Sequence, residues 1–143
     1  MSASNKQIVL DFYRQVMFEG KTDLAERFIS PAYRDHNAPQ HAAARVAGLL
    51  AHINGIRNTF PDFKMQCHEA VAEGEWVAVR VTAEGTHTGE WMGIRPTGKK
   101  IYLKGINMDR VVDGLIVEHY GEADTVSMLM QMGKDPFNTL NQT

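Results

Sequence analysis

Titratable side chains gather at two places along this 143-residue chain. Asp35 and His36 stand together in an irregular stretch, YRDHNAPQ, and loops often carry functional groups. A second group, between Glu118 and Asp124, lies near the end of the chain's second half. Carboxylates and imidazoles transfer protons near neutral pH when burial or a neighbouring charge shifts their pKa. These two segments are therefore candidates for acid–base catalysis.

Each candidate also has a structural interpretation. Asp35 can form an Asx turn beside an exposed His36. Asp124 directly precedes an apolar-periodic segment, where an aspartate caps a helix by accepting backbone N–H groups. His87 can line a pocket or cap the end of a strand. Catalytic and structural roles both stay open for these residues at this point.

The six histidines do not show the spacing of metal ligands, since none forms an HxH or HxxxH pair. Glu118 and His119 would point to opposite faces of a strand, which favours solvated strand-end groups over a metal site. The chain also lacks the GxSxG, GxGxxG and GxxxxGK[ST] motifs. We therefore expect no metal and no cofactor, and we disfavour serine-hydrolase, hydride-transfer and phosphate-loop chemistry.

Charge and composition narrow the range of partners. Fifteen basic against 17 acidic side chains give a net charge of −2, without the basic excess of a nucleic-acid-binding protein. No run of 18 apolar residues exists, so no membrane association is expected. The single Cys67 excludes an internal disulfide, and the N-terminus lacks the apolar stretch of a signal peptide. A cytoplasmic location is the prediction.

The elements that position these residues follow from periodicity. The length predicts one domain, residues 1–143, with a core at about 8–133 and a loose tail at 134–143. Ser4 to Gln7 has the form of a capping box that opens a first helix. A short helix should end at Ser30-Pro31, and a third should run from about Ala42 to Thr59. Residues 1–60 are thus predicted to be mainly helical.

The second half changes to the pattern of strands. Turns are expected at Glu73-Gly74 and Asp113-Gly114, and a short helix should follow Asp124 and close at Gly133. Helices followed by antiparallel strands indicate an α+β fold, with a curved sheet wrapped around the helices and enclosing a cavity. The predicted strands are 63–71, 75–84, 101–112 and 115–120.

Several long motifs resemble one family. The segments IVLDFYRQVMFEGKTDLAERFISPAYRDHN, FPDF, GTHTGEWMGIRPTGKK and INMDRVVDGLIVEHYGEADTVSMLMQMG are similar to the SnoaL-like polyketide cyclases of the nuclear-transport-factor-2-like superfamily. The resemblance, from about Ile8 to Gly133, implies a cone-shaped α+β barrel with one deep pocket and a homodimer or homotetramer. It also implies a cofactor-free aldol ring closure, in which a buried carboxylate is the acid–base group.

Residue by residue, the resemblance places the family's catalytic aspartate on Gly121, three positions before Asp124. The family's polar pair on the preceding strand falls on Gly105 and Asn107. We therefore order the catalytic candidates Asp124, His36, Asp35, with Asn107 as hydrogen-bond donor to an enolate. The candidate pocket residues are Asn107, Asp109, His87, His119, Tyr33, Trp91 and Tyr120.

Three functions remain open at this stage. The first is a cofactor-free cyclase or isomerase that acts next to a carbonyl of a small apolar or polyketide-like molecule. The second is a small-molecule binding or accessory protein that kept the pocket and lost the cyclase aspartate at Gly121. The third is a protein-interaction module, which would expose an apolar sheet face and have no closed pocket.

Overall fold

The computed structural model describes residues 4–38 and 44–137. The first half contains helix α1 (Asn5–Phe12), a π-helical turn (Tyr13–Phe18), a 3-10 helix (Thr22–Arg27), strand β1 (Ile29–Asp35) and helix α2 (Arg45–Thr59). The second half contains β2 (Lys64–Glu73), β3 (Trp76–Thr86), β4 (Lys100–Val112), β5 (Leu115–Ala123) and helix α3 (Thr125–Gln131). The α+β class predicted from the sequence is confirmed.

The five strands form one curved sheet in the order β1-β5-β4-β3-β2. The pairs from β2 to β5 are antiparallel, as predicted, whereas β1 joins β5 in parallel. Gly74 and Gly114 adopt positive φ angles of 59° and 82° in the hairpin turns, a conformation that glycine takes without strain. Because β1 and β2 do not pair with each other, the sheet stays open along its two edge strands.

The described part of residues 1–60 is mainly helical, as predicted, except for β1. The helical segment ends at Arg27, before the predicted stop at Ser30-Pro31, and both of these residues lie within the edge strand that follows. Ile29 and Tyr33 are buried against the core, and a proline is tolerated because an edge strand leaves one row of backbone groups unpaired. Part of the segment predicted to be irregular, Tyr33 to Gln40, is therefore strand, and its last two residues lie outside the described ranges.

Helix α1 begins at the predicted cap, since the Gln7 backbone N–H donates to Ser4 Oγ at 3.2 Å. The second half of the predicted capping box is not formed, because the Gln7 side chain donates to Asp11 Oδ1 at 2.8 Å. Helix α2 begins at Arg45, and the predicted start at Ala42 lies outside the described residues. Among the described helices, none has the length and apolar content needed to cross a membrane.

The core has two parts, and the candidate site lies where they meet. The main cluster joins α1, α2 and the inner sheet face, with Val77 and Val79 fully buried at its centre. A smaller cluster joins Phe60 and Ile101 to Met128 of α3. The helices thus cover one face of the sheet, called the inner face below, and leave the outer face open.

Candidate active site

A cavity of about 480 Å³ opens between α2, α3 and the ends of β3, β4 and β5. Its walls are mainly apolar, and its polar contacts come from residues that include His52, Asn37 and the backbone of Gly121. A mainly apolar cavity with few convergent polar groups is the usual form of a small-molecule site. Its apolar lining includes Ile56, Phe60, Phe63, Trp91, Met92, Ile101, Leu103 and Met128.

Asp109 is the buried carboxylate of the inner face. Strand alternation places it among core residues, paired with Val77 on β3 and His119 on β5, and only 1% of its surface is exposed. Its Oδ2 accepts a hydrogen bond from the Tyr13 hydroxyl at 2.5 Å, and its Oδ1 accepts one from His119 Nδ1 at 2.7 Å. These bonds compensate for the removal of the carboxylate from water.

Tyr13 is the inner end of this chain of hydrogen bonds. It opens the π-helical turn after α1 and is 2% exposed. Burial and the charge of Asp109 raise the pKa of Tyr13 well above its usual value, so its hydroxyl remains a donor. Burial, together with the charges of Asp35 and Asp109, also raises the pKa of Tyr33. Both phenols therefore stay protonated beside Asp109.

His119 is the outer end of the chain, and its Nε2 lies beside Gly121, which lines the cavity. Because an ionised carboxylate can only accept, the proton on Nδ1 points to Asp109 and Nε2 is left for a substrate. Burial alone would lower the pKa of His119, but the hydrogen bond that it donates to Asp109 and the charges of Asp109 and Asp35 raise it above its usual value.

Gly121 lies between His119 and the cavity. The residue lines the cavity, and a Cβ atom there would lie 3.0 Å from His119 Nε2 and 2.7 Å from Asn107 Oδ1. The space next to this glycine is therefore filled by the imidazole and the amide. The resemblance implies a catalytic carboxylate at this position. In the structure, the imidazole of His119, from the same strand, lies in that space.

Asn37 fixes the backbone at the same point. Its side-chain nitrogen donates to the Gly121 carbonyl at 2.5 Å, and its side-chain oxygen accepts the Gly121 N–H at 2.6 Å. Together these bonds tie the end of β5 to the turn after β1. The sequence analysis did not select Asn37. The one feature of the sequence that indicated a role in the site is its position directly after Asp35 and His36.

His36 and Tyr120 lie on the outer face and not in the cavity, unlike the sequence-based expectation. Their rings stack with centroids 4.1 Å apart, and His36 Nε2 lies 3.0 Å from Glu118 Oε1. Glu118 also accepts a hydrogen bond from Arg110 Nε at 2.5 Å. Successive residues of β5 alternate between faces, so turning His119 inward turns Glu118 and Tyr120 outward.

Asp35 and Asp124 both have the structural role that was the alternative to catalysis: an Asx turn for Asp35 and a helix cap for Asp124. Asp35 Oδ1 accepts the Asn37 N–H at 2.8 Å in an Asx turn. Asp124 Oδ1 accepts the Ser127 N–H at 3.1 Å and caps α3. The charge of Asp35 still acts on the cavity, because it raises the pKa of His119.

Two further pocket candidates lie at the far side of the cavity. Trp91 lines it from the segment between β3 and β4. His87 is completely buried, and its Nδ1 lies 3.0 Å from Thr97 Oγ1, so its visible role is to hold that segment in place. Sequence reasoning placed both near the pocket, and Trp91 is the one that contacts it.

His52 is exposed on α2, as the sequence analysis expects, and it also lines the cavity. The place of His52 at the cavity was not predicted. The signal was its spacing of four residues from Ile56, another cavity residue, since such pairs share a helix face. Among the described residues, no group of three or more His, Cys, Asp or Glu side chains is arranged to hold a metal ion.

Comparisons with known proteins bear on the family and the fold of this chain. The family model for SnoaL-like polyketide cyclases matches residues 7–132. Nogalonic acid methyl ester cyclase of Streptomyces nogalater is 28% identical over 120 residues, which are 82% of this chain and 89% of that protein. The crystal structure of IdmH of Streptomyces antibioticus, a candidate polyketide cyclase, is 30% identical with a TM-score of 0.79, covering 92% of this chain and 100% of that one.

A further solved structure supports the fold alone. TsrD of Streptomyces laurentii has a TM-score of 0.84 at 23% identity, covering 93% of this chain and 98% of that one. The family match extends from α1 to the end of α3 and contains Tyr13, Asp109, His119 and the cavity walls. The chain belongs to the SnoaL-like polyketide cyclase family.

Proposed function

We propose that this protein closes a ring in a polyketide-like ester by proton transfer next to a carbonyl group, without a cofactor. The observation that carries the proposal is the hydrogen-bonded chain from Tyr13 through Asp109 to His119, which ends beside an apolar cavity. His119 is the acid–base group. The ester comes from the relative that acts on nogalonic acid methyl ester.

The reaction is an intramolecular aldol addition. A base takes a proton from the carbon next to a carbonyl, and the enolate carbon attacks a second carbonyl within the same molecule. One carbon–carbon bond forms and one carbon–hydrogen bond breaks. The new alkoxide takes up a proton, so the product is an isomer of the substrate. His119 Nε2 can serve both proton transfers in turn, because an imidazole exchanges protons near neutral pH.

The buried partners of His119 prepare it for this role. Asp109 orients the ring and stabilises the imidazolium, while Tyr13 satisfies the other carboxylate oxygen. Asn107, whose side-chain Oδ1 lies beside Gly121, is the proposed hydrogen-bond donor to the enolate oxygen through the Nδ2 group of the same amide. The apolar walls exclude water and strengthen these interactions.

The direct test is ring closure of nogalonic acid methyl ester by the purified protein, followed by chromatography and mass spectrometry. The wild type should give an isomer of unchanged mass, and His119→Gln should reduce the rate by about 100-fold or more, the usual scale for a lost general acid–base group. His36→Gln is the matched control, because its histidine lies on the outer face. An unchanged rate in His119→Gln would reject the role of His119.

The second candidate is a binding or accessory protein. Glycine at position 121, where the family's aspartate is implied, is the observation that favours it. Saturable binding of the same ester, measured by calorimetry, without ring closure at any pH would support this alternative.

Assembly into a homodimer or homotetramer is also proposed, through the outer face. Ile106 and Tyr102 are 58% and 55% exposed there, and apolar exposure of this kind is typical of an interface. Light scattering of the wild type and of Ile106→Lys tests it, with a smaller particle expected for the variant. The cytoplasmic location stays a prediction.

A further inference from the structure

We propose that His52 is a second catalytic residue of the same cavity: it removes the carbon proton, while His119 donates a proton to the carbonyl oxygen that is attacked. This inference rests on the proposed ring closure. It replaces one shuttling histidine with two that divide the work.

The geometry brings the two imidazoles to one cavity from different elements. His52 lines it from α2, and His119 Nε2 on β5 lies beside Gly121, which lines the cavity. A substrate that reaches Gly121 therefore lies between a helix-borne histidine and a strand-borne histidine. Opposed positions suit an aldol step, because the carbon that loses a proton and the oxygen that gains one are different atoms of the substrate.

His52 also has no other visible task. Each other histidine of the described ranges has a side-chain partner: Glu118 for His36, Thr82 for His68, Thr97 for His87 and Asp109 for His119. Within those same ranges, neither nitrogen of His52 is hydrogen-bonded to the protein. A histidine in a ligand-sized cavity with both nitrogens available is suited to contact the substrate.

The charges around the two rings favour this division. His52 keeps an exposed surface on α2. Desolvation lowers its pKa, and the charge of His119 lowers it further against the opposing effect of Asp35. The pKa of His119 moves the other way, mainly through Asp109. Near neutral pH, His52 is thus the stronger candidate for the neutral base and His119 for the charged acid. The other ionisable groups on the cavity wall are Glu84 and Glu122.

The proton balance closes over one turnover. His52 takes the proton from carbon, the enolate carbon forms the new bond, and the proton on His119 Nε2 goes to the alkoxide oxygen. His52 is then charged and His119 neutral, and exchange of one proton through solvent restores both. The product remains an isomer of the substrate.

Deuterium uptake separates the two steps. With nogalonic acid methyl ester in D₂O, His52→Gln should lose both deuterium uptake at carbon and ring closure by about 100-fold. His119→Gln should keep deuterium uptake within about tenfold of wild type while losing ring closure. His68→Gln is the control, since that histidine is bonded to Thr82 away from the cavity. Wild-type uptake and ring closure in His52→Gln would overturn the proposal.

A ligand-free measurement distinguishes failure of the inference from failure of the proposed function. NMR titration of the histidine C–H signals should show His52 titrating below 6.5 and His119 above it. His119→Gln should raise the pKa of His52, because the charge of His119 lowers it in the wild type. The reverse order of titration would overturn the two-histidine arrangement, whatever the substrate is. If the wild type titrates in the expected order but shows neither deuterium exchange nor ring closure, the proposed function is rejected instead.

Discussion

The two faces of the sheet carry the same kind of pair, a histidine bonded to a carboxylate, in different surroundings. On the inner face, His119 is bonded to Asp109, whose other partner is the neutral hydroxyl of Tyr13. On the outer face, His36 is bonded to Glu118, which already faces the charge of Arg110. The inner carboxylate therefore directs its charge at its histidine, whereas the outer one is largely neutralised by a guanidinium. The two pairs differ in their burial and in the second partner of the carboxylate. These differences, and not the pair itself, make the inner face the candidate for proton transfer.

The largest expected difference between the faces is in stability. Asp109→Ala should lower the free energy of unfolding by about 3–5 kcal/mol, since it leaves Tyr13 and His119 buried without their shared partner. Glu118→Ala should cost less than about 1 kcal/mol, as expected for a pair near the surface. Urea unfolding of both variants measures the contrast, and equal losses would mean that burial does not separate the faces.

Activity should separate the two histidines nearly as strongly. His119→Gln should reduce ring closure by about 100-fold or more with the fold intact, whereas His36→Gln should leave the rate unchanged. Circular dichroism of both variants controls for folding. Should His36→Gln lose activity to the same degree, the outer face would have to be part of the site.

A smaller effect is expected at the end of the inner face, where Asp124 caps α3. Asp124→Ala should cost about 1 kcal/mol of stability, while Asp124→Asn should keep the cap and the stability. Neither variant should lose the 100-fold in turnover that marks an acid–base group. A large loss of turnover in Asp124→Asn would restore Asp124 as a catalytic candidate.

The smallest effect is the slope of stability with pH, which should have opposite signs on the two faces. The pKa of His119 is raised from 6.5, so its stabilisation is full below that pH and is lost as the pH rises through the folded-state value. The pKa of Glu118 is lowered from 4.5, mainly by the bond from Arg110, so its stabilisation is present above that pH and lost as the pH falls. Urea unfolding midpoints of His119→Gln and Glu118→Gln, measured from pH 3 to 9, test this. His119→Gln should remove the loss of stability at high pH and keep the loss at low pH, and Glu118→Gln should do the reverse.

Most of the fold could be predicted because period and turn chemistry act locally. The helix cap at Ser4, the turn at Asp113-Gly114 and the stop at Gly133 all have their expected structure. Strand β1 could not be predicted, since its partner in the sheet, β5, lies about ninety residues further along the chain. The proline and the turn-forming residues of this segment predict only local structure, and they do not indicate pairing with a distant strand.

The site was harder to predict than the fold. Strand alternation correctly separates Glu118 from His119 and groups Asn107 with Asp109, but it does not say which face turns inward. That choice depends on Tyr13 and the valines of β3, which meet Asp109 only in the folded chain. His52 was missed for a related reason: the phase of α2 relative to the cavity is set by tertiary packing.

Gly121 also limits how this protein could be converted into its relatives, if they keep the aspartate that the family pattern implies. A Cβ atom at this position would lie 3.0 Å from His119 Nε2 and 2.7 Å from Asn107 Oδ1, so an aspartate there would require both side chains to move. An imidazole displaced in this way would lose the orientation that its bond to Asp109 gives it. A carboxylate at position 121 and the present position of His119 are thus alternative occupants of one space.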